Sequence, residues 1–237
     1  MSEALAHKVP RTGRQKPPGG RPDSQTLRSQ GKRPPGAKRE IMDAAARLLS
    51  RRGYDATTVR TIATEVGIKA GSIYHHFASK DDLVQEVIDE GVSLVRADVE
   101  AALARLPADA DARQRVRVAI EAHMRAFLEH SAYTSASVKV FPLVPEAVRT
   151  RSRALRRDYE TIWTGLIEAL FAEGFVVEGP KPDMLRLYLL GAMNWAAEWY
   201  RPGALSIAEI AEDLTHLVTA GHGRGAREPA ERGPDAA

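Results

Sequence analysis

The chain has 237 residues, with 34 Lys+Arg against 31 Asp+Glu and no cysteine, which excludes disulfide scaffolds, thiolate metal sites and cysteine nucleophiles together. A composition of 43% hydrophobic and 27% charged residues is ordinary for a globular protein. No apolar run approaches the ~20 residues that span a bilayer, and the N-terminus lacks the apolar segment of a secretory signal, so a cytoplasmic protein without membrane contact is expected.

Residues 1–33 read as a disordered basic arm. They are rich in Pro and Gly and poor in apolar side chains, so burial cannot offset the entropy of ordering them. Lys8, Arg11, Arg14, Lys16, Arg21, Arg28, Lys32 and Arg33 face only Glu3 and Asp23. Such an arm serves either nucleic acid binding or solubility. Residues 221–237 are a second disordered tail, of mixed charge.

Between these ends every periodic stretch is helical, and none alternates with the period of a strand. The expected helices run from Ala37 to Arg52, stopped by Gly53; Thr58 to Val66, capped by Thr57 or Thr58; and Lys69 to Phe77. A longer helix opens at Ser79 with the spacing of a capping box and ends near Leu106, before Pro107. Further helices are expected over 111–131, 135–141, 145–173, 182–200 and 206–220. The fold is all-α: a small helical unit over 34–82, followed by a larger helical body over 83–220.

The segment from Thr57 to Phe77 has the local chemistry of a helix-turn-helix. Two short helices meet at Gly67, and Val59, Ile62, Ala63, Val66, Ile68 and Ile73 form a shared apolar face, with Ala63 small where the helices cross. The opposite face carries Lys69, Ala70, Gly71, Ser72, Tyr74 and His75. Its small residues let the backbone approach base edges, and Ser72, Tyr74 and His75 can donate to phosphates. Arg60 and Lys80 flank this face. Phe77 is core, and His76 fits a structural hydrogen bond as well as a phosphate contact. Zinc held by His75 and His76 is excluded, because neighbours on a helix diverge by ~100°. No nucleophile elbow, phosphate loop or dinucleotide fingerprint is present.

The run ATTVRTIATEVGIKAGSIYHHFASKDDL resembles the DNA-binding unit of the TetR family of bacterial transcriptional regulators, whose pattern is T-x-x-x-I-A-x-x-x-G-V-x-x-G-x-L/I-Y-x-H-F-x-S-K-x-x-L. It departs at Ile68, where the family usually has Val. The resemblance covers residues 37–92. It implies a homodimer with two helix-turn-helix heads on a ligand-binding helical body, a double-stranded operator, repression, and release by a small molecule. Carried onto this sequence, Lys69, Ala70, Gly71 and Ser72 would face bases. Thr58, Arg60, Tyr74, His75, His76 and Lys80 would hold phosphates or position the helix. WAAEWYRPG (195–203) followed by LSIAEIAEDL (205–214) is similar to a subgroup that regulates fatty-acid, aromatic-acid and sterol-ring degradation. That likeness implies an acyl-CoA thioester as effector. The alternatives are a repressor responding to drugs or aromatic compounds, and, from another class, a helical carrier or enzyme. No cofactor is expected.

In the body, helix 182–200 is apolar nearly all round, which requires burial on more than one side. With the single apolar stripe of 206–220, it is the expected homodimer interface. Pocket candidates are Met124, Phe127, Phe141, Trp163, Tyr188, Asn194 and Trp195, with Tyr133 and Met193 beside them. Asn194 stands out as a polar amide on an apolar helix. The cluster Arg149, Arg151, Arg153, Arg156 and Arg157 reads as a solvated helix face in preference to a phosphate clamp.

Overall fold

Glycine and proline punctuate an otherwise helical chain, and in the computed structural model, which describes residues 36–129, 132–176 and 179–220, the helices follow that punctuation. The basic arm (1–33) and the tail (221–237) lie outside the described residues. The helices are α1 (Ala37–Ala56), α2 (Val59–Val66), α3 (Ala70–Ile73), α4 (Lys80–Leu103), α5 (Ala112–Glu129), α6 (Ala132–Val140), α7 (Glu146–Ala172), α8 (Pro182–Trp199) and α9 (Ile207–Ala220). None is long and apolar enough to cross a membrane.

Several boundaries differ from expectation, among them the start of α6, which opens at Ala132 and not at 135. At Gly53 the backbone leaves helical geometry (φ 76°, ψ −177°), but a further turn follows and α1 ends only at Ala56. The expected helix from Lys69 to Phe77 shortens to four residues. Past Ile73 the chain tightens into a turn in which the His76 and Phe77 amides both donate to the Ile73 carbonyl, at 2.9 and 3.0 Å. α4 ends at Leu103, ahead of Leu106 and Pro107.

Two hydrophobic clusters organise the described chain. One gathers Ile41, Ala45, Leu48 and Leu49 of α1, Ile62 and Ala63 of α2, Ile73, Phe77, and Leu83, Val84, Val87 and Ile88 of α4. The other gathers Val92, Val95 and Val99 of α4 with Ile120 and Met124 of α5, Trp163, Ile167 and Leu170 of α7, Leu189 and Met193 of α8, and Ile210 of α9. α4 belongs to both, its first half in one and its second half in the other. It crosses the expected 82/83 boundary without a break.

α6 is the second bridge. Tyr133, Ala136 and Val140 complete the first cluster, while Thr134, Ser137 and Val138 face a cavity beside the second. The approach of α6 to α4 depends on Gly91, where a Cβ would lie 2.5 Å from the Tyr133 carbonyl oxygen. Any larger residue there must push the two helices apart.

Candidate nucleic-acid interface and body cavity

α2 starts where Thr58 closes a reciprocal cap. Its hydroxyl accepts from the Thr61 amide at 3.1 Å, and the Thr61 hydroxyl oxygen accepts from the Thr58 amide at 2.9 Å. The helix ends at Gly67 in the left-handed region (φ 74°), where the Ile68 amide returns to the Ala63 carbonyl at 2.9 Å. This reversal turns α3 across α2 and buries Ile62, Ala63 and Ile73 between them.

The outer face of that crossing is open. Arg60, Lys69, Gly71, Tyr74 and His75 are exposed, Tyr74 to 55%, while Ala70, Ser72 and His76 are half-buried at its edge. Gly71 has no neighbour within 4 Å of its would-be Cβ, so the backbone is bare there. Three cations of the head are neutralised within the chain, Lys38 by Glu86, Arg39 by Asp43 and Glu90, and Arg47 by Glu65, while Arg51 and Arg52 at the end of α1 form no ion pair among the described residues. Arg60 and Lys69 form no ion pair among the described residues, so their charges are available to an external anion.

Lys80 is placed differently from its expected neighbours. Its ammonium donates to the Tyr54 carbonyl at 2.7 Å and lies 3.7 Å from the Tyr54 ring centre, and burial lowers its pKa. The Tyr54 hydroxyl donates to Asp81 and is pushed up to about 12, by burial first and then by that bond. Together these contacts clamp the end of α1 to the start of α4. One turn on, Asp82 accepts from Ser79 and Arg151, which hold its carboxyl below the usual range and tie α4 to α7.

The body contains a cavity of about 80 Å³ between α4, α5, α6, α7 and α8. Phe127 and Asn194 line it, as expected, with Gly91, Val95, His123, Ser137, Arg156 and Tyr159. Met124 and Trp163 are fully buried in the core behind it. Phe141 stacks on the far side of Arg156, its ring centre 3.7 Å from the guanidinium carbon. Tyr133 turns away, donating to Asp43 at 2.6 Å.

Tyr188 and Trp195 do not line this cavity. They stand on the outer side of α8, 59% and 66% exposed, because Leu185, Leu189, Met193 and Ala196 take its inner side. Leu187 and Trp199 share that outer face, and Leu217 of α9 is 69% exposed. These side chains form the unpartnered apolar surface expected of the two C-terminal helices.

Sequence reasoning passed over His123 and placed Arg156 on a solvated helix face. His123 is buried with its Nδ1 2.6 Å from the Tyr159 hydroxyl, and burial pushes its imidazole down to about 4 against a smaller opposite pull from Asn194. Arg156 donates to the Ser137 carbonyl at 2.8 Å, and its Nε is shut off from solvent without an acceptor. Burial lowers its pKa, with Glu160 and Asp89 acting weakly in the other direction. One signal was present: Arg156 precedes Tyr159 by three residues and Trp163 by seven, the spacing of one helix face. Its neighbours behave as a solvated face, Arg149 and Arg153 pairing with Glu146, and Arg151 with Asp82.

Residues 41–87 match the family described as bacterial regulatory proteins, tetR family, and residues 109–222 match the tetracyclin repressor-like C-terminal domain. The chain is 30% identical over 192 residues to the HTH-type transcriptional repressor KstR2 of Rhodococcus jostii (strain RHA1), covering 78% of this chain and 91% of that protein. Among solved structures it is similar to the TetR family transcriptional regulator PfmR from Thermus thermophilus. That match has 26% identity and a TM-score of 0.65, over 79% of this chain and 97% of the other. AibR in complex with isovaleryl coenzyme A and operator DNA shares the fold at 21% identity and a TM-score of 0.68, over 77% and 97% of the two chains.

Proposed function

The chain belongs to the TetR family of bacterial regulatory proteins, and from that membership we propose a homodimeric transcriptional repressor that leaves its operator when an acyl-CoA thioester enters the body cavity. The observation that carries the DNA-binding half is the open face of α2 and α3. Arg60 and Lys69 lack carboxylate partners there, Tyr74 and His75 stand out as phosphate donors, and Gly71 leaves the backbone free to approach base edges. We read residues 34–82 as the DNA-binding head and 83–220 as the effector-binding and dimerising body. Two heads in a dimer would sit about 34 Å apart, one turn of B-DNA, so the operator should be roughly palindromic.

The effector class rests on two supports. The proteins similar to this chain include a KstR2 repressor and an AibR complex with isovaleryl coenzyme A. The cavity of this chain combines apolar walls, from Val95, Phe127 and Leu190, with a few polar groups, as small-molecule sites do.

Fluorescence anisotropy on a duplex carrying the intergenic sequence beside the protein's own gene tests the reading. Arg60→Ala with Tyr74→Ala should weaken binding at least tenfold while dimerisation is unchanged. Unaltered binding by that double variant would overturn the assigned face.

A further inference from the structure

The cavity wall contains a cation without a counter-ion. Arg156 spends one donor on the Ser137 carbonyl of α6, at 2.8 Å, and its Nε has no acceptor. Glu160 and Asp89 are the carboxylates that influence it, yet neither forms an ion pair with it among the described residues. Glu160 is instead taken by Arg186 at 3.3 Å, and Asp89 by Gln85 at 3.4 Å. A shielded guanidinium is costly unless an anion meets it.

On the same face of α7, one turn from Arg156, Tyr159 meets His123 of α5. The Tyr159 hydroxyl carries one hydrogen, and the His123 Nδ1 at 2.6 Å is the acceptor placed for it. That bond leaves the imidazole proton on Nε2, which is buried and unpartnered, with the ring lining the cavity. Asn194 lies beside it in the same wall. The lining therefore sets the Arg156 guanidinium beside neutral polar side chains and calls for an acceptor that carries charge.

The rest of the lining narrows the class. Val95, Phe127 and Leu190 supply apolar walls beside Arg156, which suits a carboxylate carried on a short carbon chain.

We propose that the cavity receives the carboxylate end of a small organic acid, or of an acyl group that keeps a second carboxylate, with Arg156 as counter-ion and the neutral side chains of His123 and Asn194 beside it. This rests on the reading of the cavity as the effector site. The same guanidinium holds the Ser137 carbonyl, so ligation bears on α6, the helix that also completes the core of the head.

The test is calorimetric titration of the full chain with glutaryl-CoA, valeryl-CoA, glutarate and free CoA, repeated with Arg156→Met and Arg156→Lys. The wild type should bind glutaryl-CoA at least tenfold more tightly than valeryl-CoA. Arg156→Met should lose that preference with operator binding retained, and Arg156→Lys should keep most of it. Glutarate binding alone would assign the site to a free acid, and glutaryl-CoA alone to an acyl thioester. Equal binding of the two thioesters by the wild type overturns the inference even if Arg156→Met fails to fold, and so does a preference that survives in a folded Arg156→Met. Tight, equal binding leaves the effector reading of the cavity standing. Binding of none of the probes, with operator binding intact, removes both.

Discussion

His123 sits among rings: Phe127 at 6.2 Å, Tyr159 stacked at 6.0 Å and Trp163 edge-on at 5.8 Å between centroids. An imidazolium there would lose its hydration, which is why burial lowers its pKa from 6.5 to about 4. Arg156 and Glu160 of α7 line the same cavity and are the charges nearest in kind. Between those two pH values the unfolded chain binds a proton at this residue and the folded chain does not. Stability therefore falls as pH drops from 6.5 towards 4, at about 1.4 kcal/mol per pH unit from this group. Urea unfolding at pH 6.5, 5.5 and 4.5 should show a shallower acid decline in His123→Gln than in wild type. Identical slopes would mean that the ring titrates in the fold much as it does in the open chain. Neither His123 nor Arg156 was legible as a site residue, and the reason is geometric. The flanking arginines are solvated as their composition suggests, and only the packing of α6 and α8 over α7 makes Arg156 a wall residue.

At the level of elements, α8 shows what periodicity can and cannot say. Its near-continuous apolar circumference calls for two covered sides, but the sequence does not mark which side faces the protein's own core. Packing assigns Leu185, Leu189 and Met193 inward, and leaves Tyr188 and Trp195 exposed. That arrangement moves these two aromatics from the pocket to the proposed dimer face. Trp195→Glu with Leu217→Glu places charges from both copies into the seam, where truncating a buried aromatic anchor alone typically costs about 2–4 kcal/mol. Ultracentrifugation should find a dimer for the wild type and a monomer for the variant at micromolar concentration, with operator affinity falling in parallel. A variant that sediments as a dimer would place the interface elsewhere. The helix-turn-helix was the most legible element, since Thr58, Ala63 and Gly67 each perform a local task that residue type nearly dictates. The length of α3 was not legible: Ile73 and Phe77 have helical spacing, yet both serve the core through a tighter turn.

Across the whole molecule, charge is divided between the arm and the rest. The chain's excess of 34 Lys+Arg over 31 Asp+Glu becomes an acidic excess once the eight cations and two acids of residues 1–33 are set aside. A DNA-binding protein of that kind meets a polyanion with a net negative fold, and its head spends several cations on its own carboxylates. On the proposed reading, long-range attraction comes from the arm together with the slight cationic excess of residues 34–82, while Arg60, Lys69, Tyr74 and His75 supply register. The slope of log affinity against log salt separates the two contributions, because each phosphate neutralised adds about 0.9 to it. If three or four cations of each arm meet phosphates, deleting residues 1–33 removes two arms from the dimer and should reduce the slope by about 6 and weaken operator and random duplexes alike. The ratio between those duplexes and the response to effector should not change, since neither depends on the arm. An unchanged slope would assign the arm to solubility and leave α2 and α3 with the whole of DNA binding.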